Sequence, residues 1–232
     1  MPFEAKKKLL DVPANMAQLP QPMFLENPRI RSAMESVYNH PHIQVLLRQL
    51  WLKDPYTYTH SHRVADLSQW LGQHLSLSNQ ERVEIYLTGL LHDIGKLFTP
   101  DEVLKKPTRL NEDEFKLMKE HPMHSAKIIR QVRDLGYLER GVIAHHERFD
   151  GKGYPHNTKG EKIPLFSRVI FVADTFDAMT TSRVYREKLD LEKTYKDLID
   201  CSETQFDPEV AKTFVTQHKN IRGWIPTSKK AA

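Results

Sequence analysis

The chain has 232 residues, with 34 Lys+Arg against 30 Asp+Glu and a formal net charge of +4. That near balance argues against a general nucleic-acid coat or a polybasic membrane surface, and 39% apolar with 9% aromatic residues excludes a disordered chain. No apolar run approaches the roughly 20 residues of a membrane helix, and the single cysteine, Cys201, excludes an intrachain disulfide and a Cys-based metal site. The basic start is not followed by an apolar signal-like stretch, so a cytoplasmic protein without membrane insertion is expected. Twelve histidines are the unusual number.

The first 28 residues hold five of the 14 prolines and show no period, so they read as an extended arm. Helical text follows over roughly 29–50, 54–76, 79–96, 111–134, 136–148, 164–181, 191–201 and 208–218. Val83, Leu87, Leu90, Leu91 and Ile94 recur at helical spacing. Ser78 with Glu81, and Asn111 with Glu114, are capping-box starts. Val169–Val172 is β-branched, yet Pro164 at a first turn and the spacing of Val169, Val172, Ala173 and Phe176 favour a helix. Gly-containing breaks fall at Gly136 and over 150–160. The expected fold class is all-α, a bundle of seven or eight helices. The expected organisation is a Pro-rich arm plus helix over 1–50, a main domain over 51–218 and a tail over 219–232.

Metal-type donors cluster along this helical text: His60, His92-Asp93, His121, His145-His146 and Asp174. Imidazole nitrogen and carboxylate oxygen suit Mn, Fe or Zn and disfavour Cu(I). His92-Asp93 ends an apolar helix in LLHDIGK, and an Asp buried there without a partner costs several kcal/mol. It therefore calls for a cation or strong hydrogen bonds. Asp174 interrupts the apolar run VIFVADTFDAM. Helix ends and interior faces are where bundles assemble metal sites.

LLHDIGK, with His60 upstream in YTHSHRV and Asp174 downstream in VADTFDAM, resembles the HD superfamily of metal-dependent phosphohydrolases. HHERFDGKGYP at 145–155 narrows the resemblance to the HD-GYP group. It extends through EHPMHSAKII (120–129), TSRVYR (181–186) and QFDPEV (205–210), about two thirds of the chain. The resemblance implies two divalent transition metal ions, iron or manganese. His60, His92, Asp93 and Asp174 would hold one, and Asp93, His121, His145 and His146 the other, with Asp93 and a hydroxide bridging. It implies in-line attack on a phosphodiester, with Asp93 and Lys96 as the catalytic pair and Lys96 on the scissile phosphate. Lys96, four residues beyond His92, shares its face if the helix persists. Arg183 and Arg186 would grip phosphates, and Tyr154 and Pro155 would shape a guanine site. Gly151 and Gly153 would let that loop turn tightly.

The implied activity is hydrolysis of cyclic di-GMP to linear pGpG and onward to GMP. Hydrolysis of 3′,3′-cyclic GMP-AMP, or a weakly active cyclic-dinucleotide sensing module, are the alternatives. Some members hold a third metal through a Glu one turn before the first His; Tyr56 stands there, so two metals are expected. Ser125 replaces a usual Gly and is expected to leave the ligands untouched. His124 falls outside the ligand pattern, and His62 points away from His60. Glu147 either orients a ligand His or caps a loop, Asp150 makes a turn, and Asp177 is a candidate carboxylate behind the ligands. His40, His42, His74, His156 and His218 are expected at the surface. Lys105-Lys106 and Lys229-Lys230 are expected as solvated charge, and Cys201 and Trp224 as packing. The expected partner is a cyclic dinucleotide and no polymeric nucleic acid, with residues 1–50 open to a homodimer or a regulatory partner.

Overall fold

The computed structural model describes residues 39–181 and 189–220, with Ser32. Its helices are α1 (Pro41–Lys53), α2 (Pro55–His74), α3 (Asn79–Leu91), α4 (Asp101–Leu104), α5 (Glu112–Met118), α6 (His121–Gln131), α7 (Glu139–Ile143), α8 (Leu165–Thr180), α9 (Leu191–Asp200) and α10 (Pro208–Asn220). The described residues contain no strand, only a bridge between Ser202 and Phe206. The all-α expectation holds.

Local chemistry sets the starts. Asp54 caps α2 by accepting from the Tyr56 and Thr57 amides, with Pro55 in the first turn. The two expected capping boxes form at Ser78/Glu81 and Asn111/Glu114. The expected 111–134 helix divides into α5 and α6, because Pro122 occupies a first turn and cannot continue the preceding ladder. The 79–96 helix stops at Leu91, and the chain tightens into a 3-10 segment, Ile94–Phe98. A Cβ at Gly95 would lie 2.1 Å from the His121 carbonyl oxygen, so only glycine lets this turn press onto α6. The 136–148 window is helical only to Ile143. α4 has no counterpart in the sequence reading.

α2 is the central element, buried along most of its length. One of its faces joins Tyr58 and Ala65 to Ile43, Leu47 and Leu50 of α1 and to Leu87, Leu90 and Leu91 of α3. Another joins Val64, Leu67, Trp70 and Leu71 to Val169, Val172 and Phe176 of α8 and to Phe214 of α10. Burying each such Leu or Val stabilises by about 1.5–3 kcal/mol, which offsets the polar groups packed between the clusters. α1 runs across residues 50 and 51 and packs into the same core.

His218 corrects the surface expectation. It is 2% exposed, hydrogen-bonded to the Tyr195 hydroxyl at 2.6 Å, and ringed by Trp70, Phe176 and Phe214. Trp224 and Lys229-Lys230 lie outside the described residues. No helix among the described residues is long and apolar enough to cross a membrane.

Candidate metal centre

Five elements bring the expected donors together. α2 supplies His60 and α8 supplies Asp174. The end of α3 supplies His92 and Asp93, the start of α6 His121, and the turn after α7 His145 and His146. Donor atoms lie within 4.8 Å of one another in the groups His60/His92/Asp174, His121/His145/His146 and His92/Asp93/His145. Asp93 joins them: Oδ2 is 3.3 Å from His92 Nε2 and 3.8 Å from His60 Nε2, and Oδ1 is 3.2 Å from His121 Nε2. His60 Nε2 is 3.0 Å from Asp174 Oδ1.

The backbone fixes the histidine tautomers. His92, His121 and His145 each place Nδ1 2.6 Å from a carbonyl three residues earlier, those of Gly89, Met118 and Val142. A carbonyl only accepts, so each Nδ1 is the protonated nitrogen. These carbonyls sit in the last turns of α3, α5 and α7, where helix carbonyls lack intrahelical partners. Each helix end is thus capped by a histidine, and each ring turns Nε2 inward. His121 Nε2 and His145 Nε2 face one another at 3.1 Å. Two imidazole lone pairs do not hold each other; a cation between them does. His92 Nε2 and Asp93 Oδ1 are also buried without a hydrogen bond, so the donor set fits a divalent metal.

His60 is oriented from a side chain instead. Its Nδ1 is 2.6 Å from Asp177 Oδ2, and Arg63 grips the same carboxylate, Nε to Oδ1 at 2.6 Å and Nη2 to Oδ2 at 2.9 Å. Asp177 therefore stands behind His60. Arg63 was not anticipated; the signal available was its place three residues after His60. Ser125 corrects another expectation. Its hydroxyl donates to the His92 carbonyl at 2.7 Å and accepts from the Gly95 amide at 2.7 Å, holding the backbone of His92, one of the expected donors.

The loop after α7 folds back over His146. The Tyr154 amide donates to the His146 carbonyl, and the two rings stack with centroids 4.8 Å apart. A Cβ on Gly153 would meet the Arg148 nitrogen at 2.2 Å, and Gly151 takes φ +80°. Glu147 caps this loop by accepting from the His156 and Thr158 amides at 2.6 and 3.0 Å. Asp150 makes the turn onto the Lys152 amide. His62 packs on Tyr58 and His124 against Phe98, both away from the donors. Tyr56 lays its ring on His60 with planes 7° apart.

Burial drives the charges apart. It pushes His121 and His146 down to about 3 and His145 downward, keeping them neutral as a metal requires. Burial opposes charge on His60 too, but its bonds to Asp174 and Asp177 outweigh it and raise His60 to about 9. Burial likewise opposes ionisation of Asp93, and the charge of Lys96 beside it holds it well below the usual carboxylate range. Burial pushes the Tyr154 phenol up, so it stays protonated.

A cleft of about 990 Å³ opens over these groups, at the upper end for ligand pockets. His60, His121, His146 and Asp174 reach it, with Lys96 and Tyr154 beside them. Lys96 does not follow His92 along a helix; from the 3-10 segment it reaches back to Asp93 Oδ2 at 2.6 Å. Pro155, joined to Tyr154 by a cis peptide bond, is not part of the cleft lining. Arg183 and Arg186 lie outside the described residues. The sequence reading missed the stretch Lys105–Leu110, which forms a cleft wall. Lys105 and Lys106 are ion-paired there, to Asp101 and Glu114.

Residues 44–210 match a family model described as HD domain. The chain is 42% identical over 139 residues to the 3′3′-cGAMP-specific phosphodiesterase 1 of Vibrio cholerae, covering 60% of this chain and 32% of that protein. It is 38% identical over 181 residues to a cyclic di-GMP phosphodiesterase of Pseudomonas aeruginosa, covering 78% and 44%. The chain thus spans less than half the length of these relatives. In fold it is similar to the crystal structure of a cyclic GMP-AMP specific phosphodiesterase of V. cholerae, with TM-score 0.59, 22% identity and 76% and 48% of the two chains covered. With residues 44–210 matched, the chain belongs to the HD domain family, and its HHERFDGKGYP run resembles the HD-GYP group.

Proposed function

We propose that this protein is a metal-dependent phosphodiesterase that opens cyclic di-GMP to linear pGpG and carries it on to GMP. The observation that carries the reading is Asp93, whose two carboxylate oxygens face two separate groups of donors beneath the cleft. His60, His92 and Asp174 would hold one divalent ion and His121, His145 and His146 the other, with Asp93 shared between them. Iron or manganese would supply Lewis-acid charge for a phosphodiester and acidify a water. The chain's own groups do the rest. Lys96 sits at the lip of the donor groups, where its ammonium meets a phosphate oxygen as negative charge develops. Tyr154, kept protonated by burial and stacked on His146, offers a flat face and a donor to a base. Arg183 and Arg186, outside the described residues, are the further phosphate-binding cations that the sequence resemblance implies.

A second reading, hydrolysis of 3′,3′-cyclic GMP-AMP, is favoured by the 42% identity to a phosphodiesterase of that specificity. The same chemistry serves both. The test is metal content and turnover on one sample, purified anaerobically without chelator. About two metals per chain, with pGpG and then GMP appearing by chromatography, supports the proposal. Faster turnover of cyclic GMP-AMP favours the second reading. Full metal without product from either substrate overturns both.

A further inference from the structure

We infer that Arg109 is a specificity residue that receives the second, non-scissile phosphate of a cyclic dinucleotide; the inference rests on the substrate class proposed above. A cyclic dinucleotide carries two phosphodiesters on opposite sides of its ring. When one lies at the metal donors, the other lies elsewhere in the cleft and brings a full negative charge with it. Among the described residues, the Lys and Arg side chains lining the cleft are Lys96, Lys105, Lys106 and Arg109. Three of them already face a carboxylate, Lys105 sharing Asp101 with Lys53. Lys96 Nζ lies 2.6 Å from Asp93, Lys105 Nζ 2.8 Å from Asp101, and Lys106 Nζ 2.6 Å from Glu114. Arg109 is exposed and makes no hydrogen bond or ion pair with the described residues.

Its loop is anchored on both sides, although the side chain is free. Lys106 is held by both oxygens of Glu114, and Glu114 also accepts from the Asn111 amide at 2.8 Å and receives its own cap from Asn111. Pro107 fixes a backbone angle between them. A braced loop spares the backbone's ordering cost on binding, and a guanidinium matches a phosphate with two parallel donors. On this inference Arg109 favours a ring with two phosphates over a diester with one.

The test uses the Mn(II)-loaded full chain and hydrolysis of bis(p-nitrophenyl) phosphate, a diester with one phosphorus. Cyclic di-GMP is added as a competitor, and its inhibition constant is read for wild type, Arg109→Ala and Arg109→Lys. The inference predicts an inhibition constant at least about tenfold weaker in Arg109→Ala, with Arg109→Lys between, while p-nitrophenol release changes by less than about threefold. Equal inhibition constants in wild type and Arg109→Ala overturn it. So does a loss on the one-phosphorus substrate as large as the change in inhibition. If cyclic di-GMP inhibits wild type without being hydrolysed, the proposed activity fails, and the ratio of inhibition constants still decides Arg109. If it does not inhibit wild type at all, both fall.

Discussion

On the floor of the cleft, three histidines lose their rotational freedom to carbonyls of the helices they terminate. Along the wall at Lys105–Leu110, side chains are held only by carboxylates of the flanking helices α4 and α5. The floor is buried and its geometry belongs to the backbone. The wall is wet, and solvent screens its ion pairs. On the proposed reading, the floor carries chemistry that must not vary, and the wall carries recognition that can change without disturbing the fold. Substitutions on the floor should remove metal and turnover together, whereas those on the wall should alter affinity.

The largest break is expected at Asp93. Asp93→Ala removes the carboxylate common to both donor groups, so metal content should fall below one per chain and turnover by about a thousandfold or more. Retention of two metals with wild-type-like rates would contradict the floor's construction. Behind it, Asp177→Asn leaves His60 in place but weakens the acceptor for Nδ1. Metal affinity should drop about 10–100-fold, with turnover recovering at high metal. Titration with Mn(II) under activity assay reads both, and a loss that excess metal does not repair would assign Asp177 a purely structural role.

Gly153→Ala probes the loop that joins floor to cleft. Its Cβ would meet backbone atoms of Glu147 and Arg148 at 2.5 and 2.2 Å, so unfolding should shift by about 1–3 kcal/mol. An unchanged melting temperature would mean that the loop does not fold back on His146 as described. The last effect is in pH. In chelated protein, His60 holds its proton up to about pH 9 against 6.5 when unfolded. A raised pKa stabilises the fold fully below 6.5, and that stability is lost as pH rises through 9. Metal-free protein should thus melt progressively lower between pH 6.5 and 9. Mn(II)-loaded protein, whose His60 is neutral throughout, should lack that slope.

The sequence made some of these features legible and hid others for physical reasons. Donor residues could be picked out because an Asp or a His pair at the end of an apolar helix needs a partner, and capping boxes announced α3 and α5. Helix lengths were overread at 79–96 and 111–134, since periodicity continues through Ile94 and through Pro122 while the backbone does not. The carbonyl contacts that orient His92, His121 and His145 follow from helix ends misplaced by several residues, so the reason for the tautomers was invisible. Arg63 and Ser125 act through tertiary partners, Asp177 and the His92 backbone, that no local pattern encodes. His218 was hidden in the same way, its surroundings coming from four separate helices.

The most direct test of the shared carboxylate is the paramagnetic resonance of the Mn(II)-loaded full chain. Two manganese ions held by one Asp93 should give two metals per chain and an exchange-coupled spectrum. A six-line signal of isolated ions, or a single manganese per chain at saturation, would contradict the account.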